Sequence, residues 1–313
     1  MDAPSIAVAV PAYNASAWIV ETLESVVGQT SPPDEVIVVD DGSTDDTFER
    51  ATSVDPAIRV IRQENRGAPG AYNRGFREAS SEFVAMCPAD DVWQPRKLEW
   101  QRETLRTNRD VDITFGHAEL FGRLSGPFPK PESSGTLEPT RFLAAMYKRC
   151  LIAAPTAVVR RGLHERLGGF REDLSIEDYE FWLRALSSNA AFYFDPRLLV
   201  RLRQHDSNLG SSNALLVWEL NLWIHRRYAD AVQDKHLVRR VIARDLATIG
   251  RCQLGRGNAV AARGSYRDSL RERSSLSALG AVLLLQLPGA PKIISWLRSD
   301  ESANNSVAAK DAG

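Results

Sequence analysis

Residues 35–43, Glu35-Val36-Ile37-Val38-Val39-Asp40-Asp41-Gly42-Ser43, pass without a break from a β-branched run into a polar, turn-forming cluster. A short apolar run bounded by turn residues reads as a buried strand. Ser43-x-x-Asp46 has the spacing of a capping box, which predicts that a helix opens there. The same transition occurs twice more. Ile6-Ala7-Val8-Ala9-Val10 runs into Pro11-Ala12-Tyr13-Asn14, and a strand over Glu82 to Met86 runs towards Asp90-Asp91. Between these stretches, Ile19, Leu23, Val26 and Val27 recur at helical spacing and stop near Gly28. Ile58 to Ile61 reads as another strand and Ala71 to Ala79 as a helix, while Pro95 suits the first turn of a helix running to about Thr107. Strands separated by helices of this length make βαβ units, hence an α/β fold with a Rossmann-like, mixed but mainly parallel sheet and flanking helices. Ligands of such sheets bind beyond the carboxyl ends of the strands, which is where the three polar clusters fall.

Composition narrows the class. The 313 residues, 43% hydrophobic and 25% charged, are enough for a sizeable core. Three scattered cysteines, Cys87, Cys150 and Cys252, exclude a disulfide framework or a zinc knuckle and suit a reducing compartment. No secretory leader is legible at Met1 to Ser5, so the expected location is cytoplasmic. No GxGxxG follows the first strand and no GxxxxGK[ST] occurs, so dinucleotide and P-loop readings lose their support. The net charge of −1 conceals an acidic front, with 21 acidic and 11 basic side chains over residues 1–120. Residues 213–298 carry 14 basic and 6 acidic side chains. An acidic front suits a metal ion, and a basic tail suits phosphates or an anionic membrane; solvated surfaces account for both equally simply.

Further along, 111–121 reads as a strand, 122–136 as a Gly/Pro/Ser-rich loop, 138–148 as a helix and 152–160 as a strand. A helix covers Ile176 to Leu186, followed by strands at Phe192 to Phe194 and Leu198 to Arg203. The expected organisation is a catalytic-type domain over 1–212, a helical region over 213–298 and a disordered tail over 299–313.

Taken in order, Val10-Pro11-Ala12-Tyr13-Asn14, Val26-Val27-Gly28-Gln29-Thr30, Val38-Val39-Asp40-Asp41-Gly42-Ser43, Asn65-Arg66-Gly67, Tyr72-Asn73-Arg74-Gly75, Pro88-Ala89-Asp90-Asp91, Glu177-Asp178 and Arg203-x-His205-x-x-Asn208 resemble family 2 glycosyltransferases. The resemblance spans roughly 5–210. It implies a GT-A fold, a nucleotide-diphosphate sugar donor and a divalent cation, Mn²⁺ or Mg²⁺. By resemblance Asp91 holds the metal and Asp90 the donor ribose, while Tyr13 and Asp41 hold the nucleobase within a segment that includes Pro11 and Asn14. Arg203, with Arg201, would face the diphosphate, and His205 would reach the metal.

The chemistry fits the residue types, and each has a plainer alternative. Hard carboxylate oxygens suit Mg²⁺ or Mn²⁺, but Asp90-Asp91 could instead cap the helix near Pro95. Tyr13 can stack on a flat base or pack in the core, and Asp41 can accept from a base N–H or make an Asx-turn before Gly42. Inverting transfer needs one carboxylate to take the acceptor's hydroxyl proton, and Asp178 is the candidate, with Glu177 less direct. Ser175-x-x-Asp178 also has capping-box spacing. The remaining histidines have no ligand spacing and read as structural.

The expected activity is transfer of a single sugar to an acceptor hydroxyl, in the setting of cell-surface polysaccharide or glycoconjugate synthesis. The QxxRW segment of processive synthases is absent at 201–205. The alternatives are a sugar nucleotidylyltransferase, which lacks its Gly-rich loop here, and a non-catalytic nucleotide-sugar binding module. No nucleic-acid partner is expected. Apolar and cationic residues mixed over 239–297 suit peripheral contact with a membrane and a lipid-linked acceptor.

Overall fold

A computed structural model describes residues 3–174, 177–205 and 213–286. The chain divides into two compact units, one of Met1–Asn208 with Asp230–Gln233 and one of Leu209–Ala229 with Asp234–Gly313.

The first unit is built on a ten-stranded sheet. Its strands are β1 (Ile6–Ala12), β2 (Glu35–Asp40), β3 (Ile58–Arg62), β4 (Phe83–Met86), β5 (Val92–Trp93), β6 (Ile113–Gly122), β7 (Gly126–Pro127), β8 (Gly135–Thr136), β9 (Val158–Arg160) and β10 (Phe192–Gln204). The order is β3-β2-β1-β4-β9-β6-β10-β5, with β7 added to β6 and β8 to β10. Strands β3, β2, β1 and β4 are mutually parallel. β9 lies antiparallel between β4 and β6, and two antiparallel steps restore the original direction. β10 is parallel to β6, so its carboxyl end reaches the same edge as those of β1, β2 and β4. That reversal brings the residues after Gln204 to the polar clusters of the front half.

Helices α1 (Ile19–Val27), α2 (Thr47–Val54), α3 (Gly67–Glu78), α4 (Lys97–Thr107), α5 (Pro139–Lys148), α6 (Arg161–Arg166) and α7 (Glu177–Ser187) complete the unit. α1 buries Ile19, Leu23 and Val26 in a core shared with Val8, Val10 and Val38. α3 lies close on β1 because Gly75 has no side chain: a Cβ there would sit 2.8 Å from that of Ala9.

Several local expectations are corrected. Ser43 and Asp46 form no capping box: α2 begins at Thr47, and it is Asp45 that accepts from the Thr47 N–H, at 3.1 Å. Pro95 precedes the α4 N-cap, Arg96, rather than opening the helix. The strand expected over 152–160 is a 3₁₀ turn, Ala154–Thr156, followed by the short β9, because Pro155 cannot donate to a ladder. The two strands expected at 192–203 are one, β10, whose register shifts around Pro196. Asp195 takes up that irregularity by accepting from the Arg197 N–H at 3.0 Å.

The second unit is helical: α8 (Ala214–Arg227), α9 (Lys235–Gly255), α10 (Ala259–Glu272) and α11 (Leu276–Leu284). Each is capped by a side chain of the expected type: Asn213, Asp234, Asn258 and Ser275 accept from the N–H groups of Leu216, Leu237, Ala261 and Ala278. His225 and Asp245 meet in its interior at 2.5 Å, and Ala262, Tyr266, Ala278 and Val282 form a small cluster. Residues 287–297 of the expected helical region, and the tail, lie outside the described residues.

Candidate active site

The first polar cluster turns at Asn14, whose φ of +48° is in the left-handed region that Asn tolerates. Its Oδ1 accepts from the Thr44 N–H at 2.9 Å, and its own N–H donates to Ser43 Oγ at 3.0 Å. Asn14 therefore ties the loop after β1 to the loop after β2. Pro11 sits in β1 opposite Val39, half-buried. Tyr13 does not pack in the core: its ring is 53% exposed beside these loops.

The two aspartates after β2 divide their work. Asp40 makes the turn, accepting from the Ser43 N–H at 3.1 Å, and pairs with Arg62 at 2.7 Å. Asp41, also buried, accepts through Oδ1 from Gln63 Nε2 at 2.8 Å and from the Arg66 N–H at 2.9 Å. Asp41 makes no Asx-turn among these bonds; the side chain that closes the loop is Asp40, which accepts from an N–H three residues on. Asn65-Arg66-Gly67 thus serves, at least in part, to seat Asp41, and Arg66 goes on to pair with Glu172.

Beyond β4 the structure gathers four of the expected residues. Asp91 Oδ1 accepts from the Arg203 N–H at 2.8 Å. Arg203 Nε donates to the Asp90 carbonyl at 2.9 Å, and His205 Nε2 lies 2.9 Å from Asp90 Oδ2. Neither aspartate caps α4, whose N-cap makes no side-chain bond. Asp91 is 5% exposed; burial, then the neighbouring Asp90 charge, pushes its carboxyl well above the usual range, against the pull of the Arg203 N–H. Such a buried carboxylate beside a second one is a place where a cation is stabilised. Among the described residues no three His, Cys, Asp or Glu side chains form a ready-made metal cage. Carboxylate oxygens are the donor type that Mg²⁺ takes, through one or two carboxylates with positions left for phosphate oxygens. The donor chemistry of the Asp90–Asp91 pair fits such a cation.

Sequence reasoning missed two residues here. Trp18 stacks on the His205 ring with centroids 4.2 Å apart and planes 15° from parallel. Glu21 pairs with Arg203. Their signal, an aromatic and an acid one turn apart at the start of α1, is too common to single out. Arg201 and Arg203 both lie over the Phe121 ring, at 4.3 and 4.6 Å.

Asp178 stands on a different element, in the first turn of α7. Its Oδ1 accepts from the Tyr179 N–H at 2.7 Å, and burial pushes its carboxyl up from the ordinary value. Ser175, Ile176 and the Asn208 of the last motif lie outside the described residues, as does the Glu177 side chain. Two of the remaining histidines are structural. His164 is buried against Phe76 and 3.1 Å from Asn73 Oδ1, with its pKa pushed down to about 3 by burial and by Arg184 and Arg77. His225 pairs with Asp245. Asn73 also holds the backbone of Phe170, accepting from its N–H at 2.7 Å and donating to its carbonyl at 2.8 Å.

The comparisons with known proteins agree with this fold. TarS of S. aureus, residues 1–349, superposes with a TM-score of 0.63 at 19% identity, over 96% of this chain and 92% of that one, which shows a shared fold. An uncharacterized glycosyltransferase of Rickettsia typhi is 31% identical over 209 residues, 65% of each chain. The match thus takes in just under two thirds of that relative's length. The Escherichia coli protein WfgD, a UDP-Glc:alpha-D-GlcNAc-diphosphoundecaprenol beta-1,3-glucosyltransferase, is 32% identical over 194 residues, 60% of this chain and 72% of that one. The model of the family described as Glycosyl transferase family 2 matches residues 7–168. With over half of its length matched, the chain belongs to glycosyl transferase family 2.

Proposed function

We propose that this glycosyltransferase moves a single sugar from a nucleotide-diphosphate donor to an acceptor hydroxyl, with inversion, and that it uses Mn²⁺ or Mg²⁺. The observation that carries the reading is the knot of Asp90, Asp91, Arg203 and His205 at the carboxyl edge of the sheet, bonded at 2.8–2.9 Å. Tyr13 offers an exposed ring for the base, and Asp41 a carboxylate already oriented by Gln63 and Arg66. Asp90 would meet the ribose, and Asp91, with His205, would hold the cation. When bound, that cation supplies charge neutralisation for the leaving diphosphate. Arg203, its guanidinium fixed by Asp90 and Glu21, adds a positive charge beside it. Asp178 takes the proton of the attacking hydroxyl.

WfgD uses a UDP-sugar and a lipid-linked acceptor by its name, and a TarS structure was obtained in complex with UDP-GlcNAc. Both support a UDP-sugar donor and a polysaccharide or glycoconjugate setting for this chain. A lipid-linked acceptor also accords with the second unit. α11 contains no charged residue, and Leu276, Leu279, Leu283 and Leu284 are exposed on it among the described residues. Arg271 and Arg273 stand just before it. Among the described residues no helix is long and apolar enough to cross a membrane, and exposed leucines beside arginines are of the kind that suits contact at an interface.

The test is turnover. UDP-, GDP-, CDP- and dTDP-sugars are incubated with the protein and Mn²⁺, and release of the nucleoside diphosphate is followed. Metal-dependent release from one donor class is expected. Tight binding of a donor without release, even with lipid-diphosphate acceptors present, would favour a binding module instead.

A further inference from the structure

We infer that the start of α1, through its N-cap Trp18 and its first-turn Glu21, is a positioning clamp that holds His205 and Arg203 against the Asp90–Asp91 pair. The inference rests on the reading of that pair as the donor end of the site.

The need for a clamp follows from where His205 lies. β10 ends at Gln204, so His205 lies just beyond the hydrogen-bonded ladder. Its ring is gripped from two directions. Asp90 Oδ2 meets the Nε2 edge at 2.9 Å, and the Trp18 indole covers a face at 4.2 Å, 15° from parallel. The stacked indole restricts rotation of the ring about its hydrogen bond to the carboxylate. Arg203 is held in the same way, with Nε on the Asp90 carbonyl, Nη2 on Glu21 and the guanidinium over Phe121 at 4.6 Å.

Trp18 is the N-cap of α1, with φ −129°, and Glu21 stands in the first turn, so both leave the same end of the helix. Ile19, Leu23 and Val26 sink into the core from the other side, so the clamp rests on an immobile base. Folding alone does not account for the arrangement. The Glu21 side chain is 56% exposed, and ion pairs this wet contribute little to stability. Partners standing behind a ligating histidine characteristically set its orientation, and their loss costs about 10- to 100-fold in metal affinity or activity.

The test compares Trp18→Leu with Trp18→Phe, read in two ways. The first readout is the His205 ring C–H resonance in the protein without nucleotide, assigned by its disappearance in His205→Gln. Stacking under an indole shifts it upfield. Trp18→Leu should return it towards the position of an unstacked histidine and broaden it, while Trp18→Phe should keep most of the shift. The second readout is the Kd for UDP, GDP, CDP and dTDP with Mn²⁺. Trp18→Leu should weaken the preferred nucleotide about tenfold, Trp18→Phe should restore it to within about threefold, and Glu21→Gln should weaken it in the same direction. In turnover the loss should fall on KM for the donor more than on kcat. An unmoved His205 resonance, or unchanged Mn²⁺–nucleotide affinity in Trp18→Leu, overturns the clamp. If the wild-type protein binds none of the four diphosphates, the donor-site reading fails instead, and the resonance alone decides whether the clamp exists.

Discussion

At Asp178 two roles meet on one carboxylate. It lies in the first turn of α7, where its Oδ1 accepts from the N–H of the next residue, Tyr179, and burial pushes its pKa up, as befits a base. The roles separate by substitution. Asp178→Asn keeps an acceptor for the Tyr179 N–H but takes no proton at neutral pH. We expect kcat to fall by about 10²- to 10⁴-fold with donor affinity nearly unchanged. A base must be ionised, so wild-type kcat should decline as pH falls through a value above the ordinary carboxylate range, and the residual activity of the variant should lack that limb. Near-wild-type turnover in Asp178→Asn would leave only the helix-start role. The candidate residues were legible in the sequence because the motifs stand in a familiar order and because adjacent carboxylates repel unless something compensates them. The division of labour between Asp40 and Asp41 was not. It depends on Arg62, Gln63 and Arg66, which reach back from beyond β3, and no local pattern encodes that reach.

Among the elements, α4 shows most clearly what periodicity misses. Its boundaries were nearly right, but its start was assigned to Pro95, and Asp90-Asp91 competed for the cap. The Leu98 N–H in its first turn is instead satisfied by Gln29 Oε1 at 3.0 Å, from the end of α1, and Gln29 Nε2 donates in turn to the Gln94 carbonyl at 2.9 Å. A tertiary cap of this kind is invisible to a rule about residues three apart. The same turn buries Lys97 completely, with Nζ 2.8 Å from Gln101 Oε1 and 3.8 Å above the Trp93 ring. Burial pushes its pKa down from 10.5 to about 7. The sign of the consequence is fixed. Below about pH 7 the ammonium is protonated folded and unfolded, and the full cost of burying it is present. Between about 7 and 10.5 the unfolded chain holds the extra proton, so this group makes stability rise with pH. Denaturant unfolding across that window should show, in wild type minus Lys97→Met, a slope approaching about 1.4 kcal/mol per pH unit. A flat difference would mean that Lys97 stays charged in the fold, held by Gln101 and Trp93.

On the scale of the whole molecule, the α/β class and the parallel front of the sheet followed from alternation of strands and helices. The antiparallel insertion of β9 did not, since three residues carry no readable period, yet it is what turns β10 so that Arg203 and His205 arrive at the right edge. The charge asymmetry was equally plain in the sequence, and its meaning belongs to the second unit. If α11 and its flanking arginines meet a membrane, the protein should co-sediment with anionic vesicles at low salt and much less at high salt, because screening weakens each contact of about 1 kcal/mol per cation. Leu279→Glu with Leu283→Glu should abolish that sedimentation. Equal partitioning onto neutral and anionic vesicles would remove the electrostatic part of the proposal. The central claim is that the Asp90–Asp91 end of the sheet holds a nucleoside diphosphate through a divalent cation. The most direct measurement is calorimetric titration of UDP, GDP, CDP and dTDP into wild type and Asp91→Asn, each with and without Mn²⁺, alongside the ligand-free melting temperature. Asn can still accept from the Arg203 N–H, so the fold is expected to survive. The account predicts Mn²⁺-dependent binding of one diphosphate by wild type, lost in Asp91→Asn at an unchanged ligand-free melting temperature. Equal binding with and without Mn²⁺, or equal binding by the two proteins, would contradict it.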